Sequence, residues 1–268
     1  MAADQGSRFA APVPRVCTVV VAGGCGSRFG NPGGKQLVSI AGRPMMTWSM
    51  QAFDRSSRIG AIVVVAPRER MEEMRAVAVD PYDFKTPVLF APAGETRQDS
   101  TANGLAAVPK DFDYVAIHDG ARPLITTNAI DRAIDALLAD PSLDGVVCGQ
   151  PAIDTLKLVD PASGGERPVV EETPPRERYW TVQTPQVFSV AALRRAQEAA
   201  AREGFVGTDD SSLVERAGGR VALVPCARDN LKVTVPEDLR PVTAILLGRM
   251  ADAEAAQDSG VIATAPLA

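Results

Sequence analysis

Short unbroken apolar runs alternate along the chain with stretches whose apolar residues recur every three or four positions. The unbroken runs are rich in valine and isoleucine and predict strands at 15–22, 60–66, 87–91, 113–118 and 145–151. Helices are expected between them, near 44–54, 68–78, 98–107 and 127–139. In the last, Ile130, Ile134, Leu137 and Leu138 share one face behind a Thr126-Thr127-Asn128 cap. Continuous apolar strands separated by amphipathic helices imply an α/β, Rossmann-like fold: a mainly parallel sheet with helices on both faces. Ligands of such sheets bind at the carboxyl ends of the strands.

Residues 153–178 break this rhythm. They are polar and turn-rich, with two short β-branched pieces, Leu156–Val159 and Pro168–Val170. So long an excursion reads as a protruding β-arm. After it the pattern predicts strand 180–183, helices 190–203 and 209–217, strand 220–225, a short strand 230–234 and helix 236–249. Residues 15–249 are thus expected to form one domain. The flanks, 1–14 and 250–268, read as a flexible N-terminal extension and a flexible C-terminal tail.

A net charge of −5 over 268 residues gives no global attraction for nucleic acid or an anionic membrane. An anionic ligand has to be held by a local basic pocket. No apolar run is long enough to span a bilayer, and no signal-peptide core opens the chain, so a cytoplasmic protein is expected. Cys17, Cys148 and Cys226 lie in or beside apolar runs and read as reduced core residues, and Cys25 sits in a Gly-rich loop. The single histidine, His118, leaves no His-cluster metal site and no Ser/His nucleophile.

The Gly-rich loop is the segment richest in chemical signal. Ala22-Gly-Gly-Cys-Gly-Ser-Arg-Phe-Gly-Asn-Pro-Gly-Gly-Lys-Gln36 follows the first strand directly. Its backbone N–H groups, with Arg28 and Lys35, supply what a polyphosphate requires. Spacing excludes two familiar loops. Gln36 follows Gly34-Lys35 where a Walker A loop needs Ser or Thr, and Phe29 stands where a dinucleotide fingerprint needs glycine. Asp119 follows the fourth strand directly and is suited to the divalent cation that accompanies a triphosphate, or to capping the turn at Gly120. Arg122 is read as orienting Asp119. Arg97 and Ser100, three apart, share the face of a helix N-terminus, a position suited to a base or phosphate. Lys232 alternates with Leu231 and Val233 and so points away from the face they bury.

Taken together, Ala22-Gly-Gly-x-Gly-Ser-Arg, Lys35-Gln36, Arg97-x-x-Ser100, His118-Asp-Gly-Ala-Arg-Pro123, Asp154-Thr155, Gln183-Thr-Pro-Gln186, Thr208-Asp-Asp210 and Asn230-Leu-Lys-Val-Thr234 resemble the 2-C-methyl-D-erythritol 4-phosphate cytidylyltransferases. The blocks run in order over nearly the whole chain. The resemblance implies a nucleotide-diphospho-sugar transferase type of fold and the transfer of CMP from CTP with Mg²⁺ or another divalent cation. It implies that Ala22, Gly23, Gly24 and Gly26 wrap CTP, joined by Ala121, and that Arg28 and Lys35 are the catalytic cations on its phosphates. It places Gly94, Arg97 and Ser100 on the cytidine and Asp119 beside the metal. Thr155, Arg176, Thr208 and Lys232 would hold the sugar-alcohol phosphate, with Arg176 given by the arm of a partner subunit in a homodimer. Arg178, two positions on, competes for that last role.

The chemistry matches the residue inventory. A phosphate oxygen attacks the α-phosphorus of CTP and pyrophosphate leaves. The nucleophile is already an anion, so no catalytic histidine is needed. The barrier is anion meeting anion, and the protein must supply cations and positioning. Two alternatives stay open on sequence. The Ala-Gly-Gly-x-Gly-Ser-Arg-x-Gly-Asn form of the loop is also similar to ribitol-5-phosphate cytidylyltransferases, and a nucleotide-binding module without turnover would keep part of the same pattern.

Overall fold

The structure is a computed structural model that describes residues 16–24, 29–30, 34–160 and 167–258. Among the described residues, eleven strands and seven α-helices follow in chain order. The expected early strands appear as β1 (Val16–Val21), β4 (Ile59–Ala66), β5 (Val88–Pro92), β6 (Tyr114–Asp119) and β7 (Gly145–Pro151). Two short strands, β2 (Ser39–Ile40) and β3 (Arg43–Pro44), form a separate hairpin that the apolar pattern does not announce. Helices α1 (Met45–Asp54), α2 (Met71–Ala78), α3 (Arg97–Ala106) and α4 (Thr127–Ala139) lie within a few residues of expectation, α2 after a single 3₁₀ turn at Arg68–Arg70. Thr126 caps α4, accepting from the backbone N–H of Ala129.

The arm is a two-stranded antiparallel ribbon, β8 (Leu158–Val159) with β9 (Val170–Glu172), apart from the main sheet. The chain then enters β10 (Trp180–Ser189), which runs well beyond the expected 180–183. It pairs antiparallel with both β6 and β7. A hairpin-like return through the arm needs no crossover helix, and it allows this one antiparallel strand inside a parallel sheet. After it come α5 (Val190–Glu203), α6 (Asp210–Arg216), β11 (Val221–Pro225) and α7 (Leu239–Asp258), the last entered through a 3₁₀ turn at Pro236–Asp238. Helix α7 continues beyond 249 to Asp258.

The segment expected as a short strand, 230–234, is irregular. Its Val233 N–H donates to the Ala121 carbonyl at 2.8 Å, and residues 230–234 form no strand. What the alternation at 231–233 predicts is sidedness, and that holds: Val233 is fully buried while Lys232 reaches a cavity.

The main sheet has the order β11-β7-β10-β6-β1-β4-β5. One face packs against α1, α2 and α4 through Met46, Met50, Met74, Ile130 and Ile134. The other packs against α3, α5 and α6 through Leu105, Leu193, Ala196 and Leu213. The approach of α3 depends on Gly104, because a Cβ there would lie 2.5 Å from Val19 and 2.7 Å from Val65. A third cluster, with Ile40, Leu124, Val233, Val242 and Leu246, seats α7 and the β2–β3 hairpin near the loop after β6. From β1 the chain proceeds outward through β4 to β5, whereas β6 lies on the other side of β1. That change of direction opens a crevice beyond the carboxyl ends of β1 and β6, where a ligand is expected.

Candidate active site

A cavity of about 500 Å³ occupies that crevice. Its wall includes Gly23 and Gly24 after β1, Lys35 and Gln36, Gly94, Arg97 and Ser100 around the start of α3, Asp119 and Ala121 at the end of β6, and Lys232 and Thr234. These are the sequence candidates for nucleotide, phosphate and metal, brought together from five separate segments. Its volume lies within the range of small-molecule sites. Ala22 is buried at the back and lines an adjoining hollow with Gly23 and Gly24. Gly26 and Arg28, with Cys25, lie outside the described residues.

Each wall segment is held by identifiable bonds. Gln36, itself buried, donates from Nε2 to the Gly24 carbonyl at 3.0 Å and so fixes the Gly-rich turn. A Cβ on Gly23 would fall 2.4 Å from the Cβ of Ala93. Glycine there is thus required by the loop after β5, in addition to any ligand; Gly24 faces open space except for Gln36 at 3.8 Å. Gly94 is likewise constrained, since a Cβ would meet Asp99 at 2.3 Å, and its N–H donates to Ser100 Oγ at 3.0 Å. Thr96 caps α3 reciprocally with Asp99. Ser100 thereby serves the loop as well as the cavity.

The charges form one connected array. Lys232 Nζ donates to Asp119 Oδ2 at 2.6 Å. Arg97 Nε is 3.5 Å from Asp119 Oδ1, and Arg122 Nε is 3.8 Å from Asp119 Oδ2. Arg122 Nη1 also donates to the Asn230 carbonyl, 2.8 Å away. It thus lies between Asp119 and the loop that carries Lys232. Burial opposes ionisation of Asp119, but Lys232, Arg97 and Arg122 outweigh it and hold the carboxyl below its usual range. Lys35 Nζ donates to the Val233 carbonyl at 2.6 Å, tying the end of the Gly-rich segment to the same loop. With Glu95, the wall thus carries three cations and two carboxylates, in a protein of net charge −5.

Beneath Asp119 lies a chain of neutral hydrogen bonds. The Asp119 N–H donates to Thr184 Oγ1 at 3.0 Å, and Thr184 Oγ1 is 3.1 Å from His118 Nδ1. His118 Nε2 is 3.3 Å from the Arg122 carbonyl. A neutral imidazole protonated on Nε2 satisfies every contact, so His118 is a core residue that positions its neighbours. The shift in register of β10 between Val182 and Gln186 brings Thr184 to this place. Thr184 and Gln36 belong to the sequence blocks Gln183-Thr-Pro-Gln186 and Lys35-Gln36, and what the folded chain adds is their role: both are buried and hold backbone beside the cavity.

Burial lowers the His118 pKa from 6.5 to about 4. The unfolded chain takes up a proton that the folded one refuses. Stability from this residue is therefore complete above pH 6.5 and is lost as pH falls toward 4, amounting to about 3 kcal/mol. Urea unfolding at pH 7 and pH 4.5 should show a smaller acid loss in His118→Gln than in the parent. An equal loss in both would remove His118 as the cause.

Three acceptor candidates lie away from the cavity of their own chain. Thr155 and Arg176 are exposed on the arm, where Arg176 Nη1 donates to the Ile153 carbonyl at 2.6 Å, and Arg178 is exposed in the same turn. Thr208 is exposed two residues before Asp210, whose carboxylate bonds Arg97 at 2.8 Å. Within one chain, Lys232 alone of the acceptor set lines the cavity.

Comparison with known proteins narrows the reading. A family model described as 2-C-methyl-D-erythritol 4-phosphate cytidylyltransferase matches residues 16–248. A protein of that name from Caldanaerobacter subterraneus is 40% identical over 224 residues, covering 84% of this chain and 95% of its own. Another, from Geotalea uraniireducens, is 38% identical over 234 residues, covering 87% and 97%. The crystal structure of the Thermus thermophilus protein of the same name is similar with a TM-score of 0.66 at 29% identity, over 86% of this chain and 98% of that one. A 4-diphosphocytidyl-2C-methyl-D-erythritol synthase from Anaerococcus prevotii, at 24% identity, shares the fold with a TM-score of 0.75 over 87% and 96%. With the whole of the described sheet and its cavity inside the matched span, the chain belongs to the 2-C-methyl-D-erythritol 4-phosphate cytidylyltransferase family.

Proposed function

We propose that the protein transfers CMP from CTP to 2-C-methyl-D-erythritol 4-phosphate, releasing pyrophosphate and forming 4-diphosphocytidyl-2-C-methyl-D-erythritol for isoprenoid synthesis. The observation that carries this is the convergence of Lys35, Arg97, Asp119 and Lys232 on one cavity beside the Gly-rich turn. Two anionic substrates need such an array, and the reaction needs no base. Lys35 and Arg28 stand on the triphosphate, where charge develops as pyrophosphate leaves. Lys232 takes the acceptor phosphate. Its bond to Asp119 keeps it at the cavity until the substrates compete for both groups.

Asp119 fits a divalent cation: it is ionised, it borders the cavity, and magnesium needs only one or two carboxylates when phosphate oxygens supply the rest. Bound there, the ion would neutralise triphosphate charge. The acceptor site is completed by Thr155 and Arg176 from the arm of a second copy, in a homodimer. The arm and the adjoining strands present Ile153, Leu158, Val170, Tyr179 and Val182 to solvent, an apolar surface suited to an interface. No helix among the described residues is long and apolar enough to cross a membrane. We read the enzyme as a cytoplasmic protein with a single nucleotidyltransferase domain over 15–249.

Pyrophosphate release with CTP and Mg²⁺, run separately with methylerythritol phosphate and ribitol 5-phosphate, tests the reaction. Turnover with ribitol 5-phosphate alone would reassign the acceptor, and none with either would leave a binding module. Base choice is a second expected result. The cavity selects cytosine through polar groups that UTP leaves unpaired, so kcat/KM for UTP should be lower by about 10² or more. Equal turnover of the two nucleotides would contradict it.

A further inference from the structure

Building on the cytidylyltransferase reading, we propose that Asp210 is a positioning residue that holds Arg97 against the nucleotide cavity and thereby sets the affinity for CTP. Asp210 opens α6 and is 1% exposed. Its Oδ2 accepts from Arg97 Nη1 at 2.8 Å. Its Oδ1 is buried with no hydrogen-bond partner among the described residues. A buried carboxylate left half-satisfied is costly, and a purely structural helix start has no use for it. The capping is already done by the preceding residue: Asp209 accepts from the Ser212 N–H and Ser212 Oγ answers its backbone. Charge opposite Arg97 is the remaining reason for Asp210.

The array explains why Arg97 needs a second anchor. Its other carboxylate contact, Asp119 at 3.5 Å, is shared with Lys232 and Arg122. A cation or phosphate entering the cavity competes for Asp119 and loosens its hold on Arg97. Asp210 does not line the cavity, so no ligand competes for it. The anchor is itself fixed from β10. Gln186 Nε2 donates to Asp209 Oδ2 at 2.6 Å, and Gln186 Oε1 accepts from the Ser211 N–H at 3.2 Å. Position and charge of Asp210 are thus set independently of substrate. Arg97 keeps its orientation while the rest of the array rearranges.

Asp210→Asn should raise KM for CTP about tenfold, leave kcat within about threefold, and leave KM for the acceptor unchanged. Asp210→Glu, which keeps the charge, should recover part of the loss. In an Arg97→Ala background, Asp210→Asn should add nothing to KM for CTP, because its effect passes through Arg97. That pair also serves if the single Asn variant does not fold, since it leaves no guanidinium facing an amide. An unchanged KM in Asp210→Asn, a fall in kcat alone, or a further rise in KM in the Arg97→Ala background would overturn the proposal. Calorimetric titration of CTP should give the same tenfold change in Kd without turnover. Wild-type binding without turnover would count against the transferase reading alone, and the Asp210 comparison would stand on Kd.

Discussion

Lys35→Ala should lower kcat by about 10² or more while the protein stays folded. The reaction brings a phosphate anion onto the α-phosphorus of a triphosphate, and bond breaking moves charge onto the departing pyrophosphate. Cations placed before the reaction begins lower that barrier without reorganising. Loss of one such group typically costs ~2.7–4 kcal/mol, or ~10²–10³ in rate. Lys35 lines the cavity, and its Nζ is fixed by the Val233 carbonyl at 2.6 Å. That bond is side chain to backbone and only part-buried, so its removal should cost stability by about 1 kcal/mol. The measurements are kcat from pyrophosphate release and the unfolding midpoint of the same preparation. A folded variant with near wild-type kcat would sink the assignment, and Lys35 would then be a tie between the Gly-rich segment and the loop at 230–234.

The parts of this site that sequence discloses are those where backbone pattern and chemistry coincide. β1 reads from Val16 to Val21 because every residue of the run is apolar or β-branched, and the glycines that follow it can only be a turn. Asp119 reads as a site residue because a charge closes an apolar strand. Lys232 reads by alternation with Leu231 and Val233, although the segment is not a strand; alternation reports sidedness, and the ladder has to be supplied by a neighbour. Strand β10 was legible only at its start. Its continuation through Thr184-Pro185-Gln186 carries little apolar signal, and its antiparallel pairing is decided by β6 and β7 on either side. Asp210 was hidden by the same logic. Beside Asp209 it looks like a second capping residue, and only burial and the 2.8 Å contact to Arg97 separate the two. Gly23 was legible as glycine for a ligand's sake, whereas the contact that forbids a side chain there comes from Ala93, which is distant in sequence.

Mixing inactive Arg176→Ala with inactive Lys232→Ala should restore activity, to about a quarter of wild type at equal amounts. The reason is geometric. Lys232 borders the cavity of its own chain, but Arg176 and Thr155 sit exposed on the arm and take no part in that cavity's wall. In the proposed homodimer, an arm exchanged across a two-fold axis would deliver both residues to the neighbour, and the symmetry would make the exchange mutual. Each complete site then takes Lys232 from one chain and Arg176 from the other. In a mixed dimer one site keeps both residues and the other lacks both. Random pairing makes about half of the dimers mixed, each with one working site of two, which gives the quarter. The exposed apolar residues of the arm give the exchange a surface to bury, and the Arg176 bond to the Ile153 carbonyl presents the guanidinium from a defined turn. Subunit exchange is verified by recovering differently tagged chains together, and activity is read by pyrophosphate release. Verified exchange without recovered activity, or an active species that sediments as a monomer, would show that Arg176 does not act in trans. Repeating the mixture with Arg178→Ala in place of Arg176→Ala decides which arginine of the turn reaches the neighbouring site: the one that acts in trans abolishes activity alone and is complemented by the Lys232 variant.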